Sequence, residues 1–432
     1  MSVIRIERAA VLTMVEGQAP IPGGVVQWDG REITYAGCAA SAPDVRVDRV
    51  IDGSGCVVMP GLINAHTHLA MTLFRGFADD MPLKPWLEER IWPAEKRLVA
   101  DDVYWGTRLG VLELLRGGCT CLNDMYHFDR TAAQAAEDGL IRACPSGVML
   151  GFLDDPFGML ENAVEFVVAI REQGHSRLHP MLGPHAPYTC PRPLLERVLQ
   201  EAIAHDLPLH IHVAETSREY DDSRREHGMS PVQYLDSLGF LQAKTALAHC
   251  VWLDDRDIEI LAERQAGVIH CPSSNMKLGS GFARVPDLLA AGAVVGLGTD
   301  GAASNNNLDM FEEMHLAALI HKGRTGDPTV VPARRALEMA TRDAAKALGI
   351  DHLVGTLEPG KRADLAVLSF AAPHLTPVHG ICSHLVYSAG ASDVRMTVVD
   401  GAVVMEDGQF PGQDAEEVYR NADVRARVLC SS

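Results

Sequence analysis

Three things are scarce in this 432-residue chain: positive charge, long apolar runs and paired-cysteine motifs. Lys and Arg number 38 against 57 Asp and Glu, a formal net charge of −19. That balance argues against a sequence-independent hold on nucleic acid or on an anionic membrane. No apolar run reaches the roughly 20 residues that span a bilayer, and the start MSVIRIERAAVLTMV lacks a signal-peptide layout. Ten cysteines are scattered along the chain, several inside apolar runs, and no CxxC occurs. The expected compartment is therefore reducing and cytoplasmic. Repeats and low-complexity tracts are also missing. What remains is ordinary for a globular chain, 47% hydrophobic and 22% charged. The length predicts a large domain with a smaller one.

Residues 1–58 read as short strands punctuated by Gly, Asp and Asn, with no sustained 3.6-residue pattern. Beyond them, apolar strands alternate with helical stretches. Eight strand candidates fall at 57–68, 119–125, 141–150, 178–185, 208–215, 245–250, 267–272 and 294–300. Helical segments such as DDVYWGTRLGVLELLRGG, PRPLLERVLQEAIAHD and DDRDIEILAERQ lie between them, the last two opening with Pro or Asp before the apolar stripe. Short, nearly all-apolar strands in this alternation imply a parallel sheet, and eight such units match a closed barrel. An open doubly wound sheet is the alternative, but no GxGxxG follows the first strand. Past residue 301 come two more helical stretches, and then the strand-and-turn character of the start returns. The expected fold is α/β: a (β/α)8 TIM-like barrel over 59–354, with a small β-sandwich domain built from both chain ends, 1–58 and 355–432.

The segment PGLINAHTHLAMTLFRG, residues 60–76, organises the chemistry. Residues two apart on a strand share a face, so His66 and His68 present two imidazoles to one point. Neutral imidazole is the commonest protein ligand for zinc-like ions. In such a barrel the chemistry gathers at the C-terminal strand ends. There the sequence supplies His185, His212 with Glu215, His249 and finally Asp300, each closing a different strand candidate. His210 shares a face with His212 one layer deeper and reads as a core residue, as does His270.

HTH after the first strand, HVAE on the fifth, HC on the sixth and GTDGAASNN after the eighth resemble the amidohydrolase superfamily. They are closest to its cytosine-deaminase-like branch, which contains the methylthioadenosine/S-adenosylhomocysteine deaminases. PWLEERIWPAEKRL, GPHAPY and SSNMKLGSG extend the likeness over nearly the whole chain. The resemblance implies one divalent metal, Zn2+ first and Fe2+ or Mn2+ as alternatives, held by His66, His68, His212 and Asp300. Glu215 would shuttle protons, and His249 would orient the attacking water. Many relatives hold a second metal through a carboxylated lysine on strand four. Here that strand reads HPMLGPH, so a single-metal site is expected and His185 would touch the substrate. Three imidazoles and a carboxylate leave the metal net positive, able to lower the pKa of a bound water from about 15.7 toward roughly 7. Attack on an amino-bearing ring carbon pushes charge onto the adjacent nitrogen, which Glu215 can protonate.

The same resemblance assigns substrate contacts. Glu95 would accept hydrogen bonds from two vicinal ribose hydroxyls. Trp86 would cover an apolar 5′ substituent, and Met125 would lie against the purine. The expected reaction is hydrolytic deamination of an adenine nucleoside, 5′-methylthioadenosine first, with adenosine or S-adenosylhomocysteine as further substrates. A guanine or aminotriazine deaminase, or a chlorotriazine hydrolase, could use the same site, and a non-catalytic barrel scaffold is the remaining alternative. The expected partner is a small-molecule purine nucleoside, and homo-oligomers are common in the family. The unrelated zinc-deaminase pattern, HxE followed by PCxxC, is absent.

Overall fold

The computed structural model describes residues 2–430, and among them the chain forms two eight-stranded sheets. The first begins with β1 (Val3–Val11), β2 (Ile21–Asp29), β3 (Glu32–Cys38), β4 (Arg49–Asp52) and β5 (Cys56–Pro60). The second holds β6 (Leu62–Thr67), β7 (Cys119–Met125), β8 (Arg142–Met149), β9 (Met181–Pro184), β10 (Leu209–Val213), β11 (Thr245–His249), β12 (Gly267–His270) and β13 (Val294–Leu297). β14 (Leu365–Ser369), β15 (Val394–Val399) and β16 (Ala402–Glu406) return to the first sheet.

β6 to β13 are parallel and follow one another in sequence order around the barrel. Their residues are almost all buried, as strands covered on both faces require. The helices between them are amphipathic. Ala100–Arg116 buries Val103, Val111, Leu114 and Leu115, and its first turn is held by the Asp102 carboxylate, which accepts from Val99 N at 2.9 Å. The barrel closes by backbone and side-chain bonds between β6 and the residues just after β13. Asp300 N donates to His66 O at 3.0 Å. Asn64 accepts from Thr299 N at 3.0 Å and donates to Thr299 Oγ1 at 2.7 Å. This closeness needs Gly298, where an added Cβ would sit 2.7 Å from His66 N.

The smaller sheet runs β16-β15-β14-β5-β1-β2-β3, with β4 beside β1. It is one continuous hydrogen-bonded sheet drawn from both chain ends, and its far ends meet. Trp28 Nε1 donates to Gly401 O at 3.0 Å, and Ala363 N donates to Arg31 O at 2.9 Å. Trp28, Ile33, Val58, Leu365 and Val398 fill the space enclosed.

Two boundaries differ from the sequence reading. The apolar run 57–68 is two strands in two sheets: β5 pairs with β14, and β6 opens the barrel. The switch happens at Gly61, where a Cβ would lie 2.1 Å from Thr120 Oγ1. Apolar continuity hides such a switch, because both strands are buried. The segment 355–432 also contributes beyond the small sheet. The helix Ala415–Cys430 packs on the helix Ala100–Arg116, with Arg425 paired to Asp101 and Asp102.

Arg142, at the start of β8, ties the barrel floor to the small sheet. Its fully buried guanidinium makes two bonds to Asp364, at 2.8 and 2.9 Å, and approaches Asp400 at 3.4 Å. Removing one partner of a buried pair leaves the other charge uncompensated. Arg142→Met is therefore expected to lower the unfolding free energy by about 3–5 kcal/mol, read by denaturant unfolding, while the folded fraction keeps its turnover number.

Candidate active site

The C-terminal strand ends bring the predicted ligands to one point. His66 lies in β6, and His68 follows it on the same side. Each histidine has its Nδ1 engaged elsewhere. His66 Nδ1 lies 2.9 Å from His210 Nε2, His68 Nδ1 is 2.5 Å from Met125 O, and His212 Nδ1 is 2.7 Å from His185 O. With those nitrogens donating, the three Nε2 atoms turn inward as acceptors. His66 and His68 Nε2 sit 3.4 and 3.2 Å from Asp300 Oδ1, and His212 Nε2 sits 3.2 Å from His68 Nε2.

These spacings fit a divalent metal. Bonds of about 2.0–2.1 Å to one tetrahedral ion separate the ligand atoms by roughly 3.3 Å. His66 Nε2 is fully buried with no hydrogen-bond partner, which a metal would supply. Asp300 keeps only Oδ1 for this role, because Oδ2 accepts from Ser274 Oγ at 2.6 Å and Ser304 Oγ at 2.8 Å. Burial pushes His66 down to about 4 and His212 well below the usual imidazole value, favouring the neutral ligand form. Burial also acts against a charged His68, but the Asp300 carboxylate outweighs it and raises that imidazole to about 9. Burial alone would raise Asp300, yet the imidazoles of His66 and His68 beside it hold it well below the carboxylate range.

Glu215 and His249 stand beside this cluster. Residues three apart on a strand point to opposite faces, so His212 and Glu215 would normally diverge. Ala214 lies between them with φ +51°, and this left-handed residue brings Glu215 back to the cavity. Glu215 Oε2 is 3.9 Å from His249 Nε2, and its Oε1 accepts from Ser280 Oγ at 3.2 Å. Burial raises the Glu215 carboxyl. His249 Nδ1 is 2.9 Å from Asn275 Oδ1, which fixes its ring. Positive φ recurs at His249, Cys250 and Asp300. Each such position costs on the order of 1–3 kcal/mol and persists only where its surroundings hold it.

The cavity above the cluster is lined by Trp86, Trp92, Glu95, Tyr126, His127, His185 and Tyr188, among others. Glu95 is nearly buried and accepts from Tyr126 Oη at 2.7 Å, with its second oxygen 3.8 Å from His127 Nε2. Trp86 is buried and donates from Nε1 to Ala78 O at 2.9 Å. His185 lies at the wall, its Nδ1 3.0 Å from Thr189 Oγ1, and burial lowers it to about 3. Met125 is not among the described residues lining the cavity. Its carbonyl orients His68, and its Sδ-bearing chain reaches toward Gly183, where a Cβ would meet Met125 Cε at 3.5 Å. The next residue, Tyr126, lines the cavity instead. His210 is buried, as read, but it bridges His66 to Ser146 Oγ at 3.1 Å. The period-two spacing of His210 and His212 carried that signal. Ser274, Asn275, Ser280 and Glu219 bore none, because their partners come from distant segments.

An eight-stranded parallel barrel with two overlapping donor groups at its C-terminal mouth, His66/His68/Asp300 and His66/His212/His249, defines a metal-dependent hydrolase scaffold. The chain belongs to the amidohydrolase family, which it matches over residues 57–404. It is 47% identical over 430 residues to a 5-methylthioadenosine/S-adenosylhomocysteine deaminase from Pelotomaculum thermopropionicum, covering 99% of both chains. Among solved structures it resembles an adenosine deaminase from Xanthomonas campestris with bound zinc, at TM-score 0.94 and 33% identity, covering 99% of this chain and 98% of that one. It also resembles an atrazine chlorohydrolase from Arthrobacter aurescens complexed with zinc, at TM-score 0.88 and 28% identity, covering 98% and 100%. Among the described residues no helix is long and apolar enough to cross a membrane.

The His66–His210–Ser146 chain generates a prediction. His210→Ala removes the acceptor that fixes the His66 tautomer, and loss of such a partner weakens metal affinity by about 10–100-fold. Competition with a chelator should show that loss, and an unchanged affinity would assign His210 to packing alone.

Proposed function

We propose that this protein is a metal-dependent hydrolytic deaminase of adenine nucleosides, with 5′-methylthioadenosine as its preferred substrate and one metal ion, zinc first, per chain. The carrying observation is the juxtaposition of Glu215, His249 and the four-donor cluster beneath a wall bearing Glu95. When bound by His66, His68, His212 and Asp300, a divalent cation would lower the pKa of water toward roughly 7.

The side chains then act as follows. Asp300, held as a carboxylate, accepts a hydrogen bond from the attacking water and takes its proton. His249, fixed by Asn275, orients that water toward the ring carbon. Glu215 delivers a proton to the adjacent ring nitrogen, and its raised pKa suits a carboxyl that must carry one. The amino group then takes up the proton that Asp300 removed from water and leaves as ammonia, and the remaining hydroxyl proton returns to Glu215 as the carbonyl of the inosine analogue forms. Glu95, braced by Tyr126, faces the cavity as an acceptor for the vicinal ribose hydroxyls. Trp86 and Trp92 form apolar wall for the 5′ group.

The 5′ preference rests on charge. No Arg or Lys is among the described residues lining the cavity. Arg142, in the strand that would offer a cation, is buried at the barrel floor on Asp364. Asp154 and Asp155 follow the mouth end of that strand, and Asp155 caps the next helix by accepting from Gly158 N at 2.9 Å. A homocysteine carboxylate thus finds acidic neighbours and no guanidinium. The absence of disulfides among the described cysteines supports a reducing, cytoplasmic setting.

Ammonia release should be measured over methylthioadenosine, adenosine, S-adenosylhomocysteine, guanine and an aminotriazine. The kcat/KM for methylthioadenosine should exceed that for S-adenosylhomocysteine about tenfold or more, the worth of one charged hydrogen bond of about 1.5–3 kcal/mol. A ratio below one would reveal a carboxylate partner elsewhere, and turnover of triazine alone would replace the nucleoside reading. Glu215→Gln should lose on the order of 10² or more in turnover while elemental analysis still finds about one ion per chain.

A further inference from the structure

The turn that delivers Glu215 has a support of its own. Ala214 is left-handed at φ +51° and is not a glycine, so the turn needs external restraint. Glu219, in the first turn of the helix Ser217–His227, provides it. Its Oε1 accepts from Ala214 N at 2.8 Å, and its Oε2 accepts from Glu215 N at 2.9 Å. Both oxygens of one buried carboxylate are therefore spent on two successive backbone N–H groups. Burial raises the Glu219 carboxyl to about 7, and the two backbone N–H groups oppose that rise by favouring its charged form. The other side of the turn is fixed too, because Ala214 O accepts from Val251 N and Trp252 N. The arm of Glu219 is itself anchored, its N–H donating to Thr216 Oγ1 at 3.2 Å. His212 does not depend on this clamp, since its ring is oriented separately by His185 O.

We propose that Glu219 is the positioning residue for Glu215, its carboxylate holding the left-handed turn that aims Glu215 at the reacting ring nitrogen. This rests on Glu215 carrying the proton, as proposed above. A carboxylate at residue 219 is needed for both bonds at once. Glutamine keeps the shape and one acceptor oxygen, but its NH2 group faces the second N–H. Glu215 would then sample orientations in which the proton does not reach its acceptor, while substrate binding and the metal ligands stay in place.

The test is a double-mutant cycle on the metal-loaded enzyme, with wild type, Glu215→Gln, Glu219→Gln and the double variant. Glu219→Gln alone is expected to lose about ten- to a hundredfold in kcat, the scale of a misplaced catalytic group. Its KM and metal content are expected to stay within about twofold of wild type. In the Glu215→Gln background the same change should cost less than about twofold, because a positioning residue has nothing left to position. Equal losses in both backgrounds, a loss of metal, or full activity of Glu219→Gln would each overturn the proposal. A fully active Glu215→Gln would instead overturn the proton-carrier reading, and this inference with it. If Glu219→Gln does not fold, Glu219→Asp, which keeps the charge and shortens the reach, enters the same cycle with the same criteria.

Discussion

Everything in this structure depends on holding three imidazoles and one carboxylate together, out of water, at the seam of the barrel. Desolvation disfavours every charged form there, and the close His68–His212 and His66–Asp300 approaches leave no room for disorder. The fold meets that demand by giving each ring a second bond on its far nitrogen. Two of those bonds go to backbone carbonyls, Met125 O and His185 O, and one to another imidazole, His210. The carbonyls come from neighbouring strands, so the barrel's own register sets the ring orientations. The closing bonds between Asn64 and Thr299 then bring His66 to Asp300. Donor cluster and barrel closure are therefore one feature.

That dependence explains which parts were legible. Strand ends could be counted because buried parallel strands are short apolar runs, and the histidines that close them stand out. The strand-end placement of His66, His68, His185, His212, His249 and Asp300 follows from that count, and the family resemblance singles out four of them as ligands. The switch of sheets at Gly61 was hidden, because β5 and β6 are equally apolar and only a glycine marks the crossing. Met125 and Tyr126 were hard to tell apart for a related reason. At the end of β7 the chain leaves extended geometry, so strand parity no longer decides which of two successive side chains faces the cavity. Helix Ala415–Cys430 has a helical pattern, but its partner surface lies more than 300 residues away in sequence, as the Arg425–Asp101 pair shows.

The hydrogen-bonding residues around the ligands were illegible for a deeper reason. Ser274, Asn275 and Ser280 lie within nine residues of one another, yet they serve Asp300, His249 and Glu215 respectively. A serine or asparagine in a loop has many ordinary uses, and only the three-dimensional meeting of segments gives it this one. The phrase SSNMKLGSG, a short helix (Pro272–Lys277) and the turn after it, thus orients three separate groups. A family resemblance can point to such a phrase, but the physics that makes it useful is the distance between side chains. The same holds for the strained residues Ala214, His249, Cys250 and Asp300, none of which is glycine. Local preference would avoid the left-handed region at all of them, so their conformations are imposed by tertiary bonds.

The division of labour around the mouth explains how one base serves different substrates. The donors sit on β6, β10 and the end of β13, where the barrel fixes them rigidly. The wall comes from segments that carry no strand geometry, the stretch around Trp86 to Glu95 and the turns after β7, β8 and β9. Changing a wall residue leaves the hydrogen bonds that orient the donors intact, because those bonds run to strand carbonyls and to His210. A nucleoside and a chlorinated triazine both present an electron-poor ring carbon with a leaving group. A scaffold whose base is built into its closure can therefore exchange one for the other by altering its loops. In this chain the loops place a buried acceptor, Glu95, and apolar rings at the wall, with no cation among the described lining residues. Those features underlie the proposed preference for a nucleoside with an uncharged 5′ group.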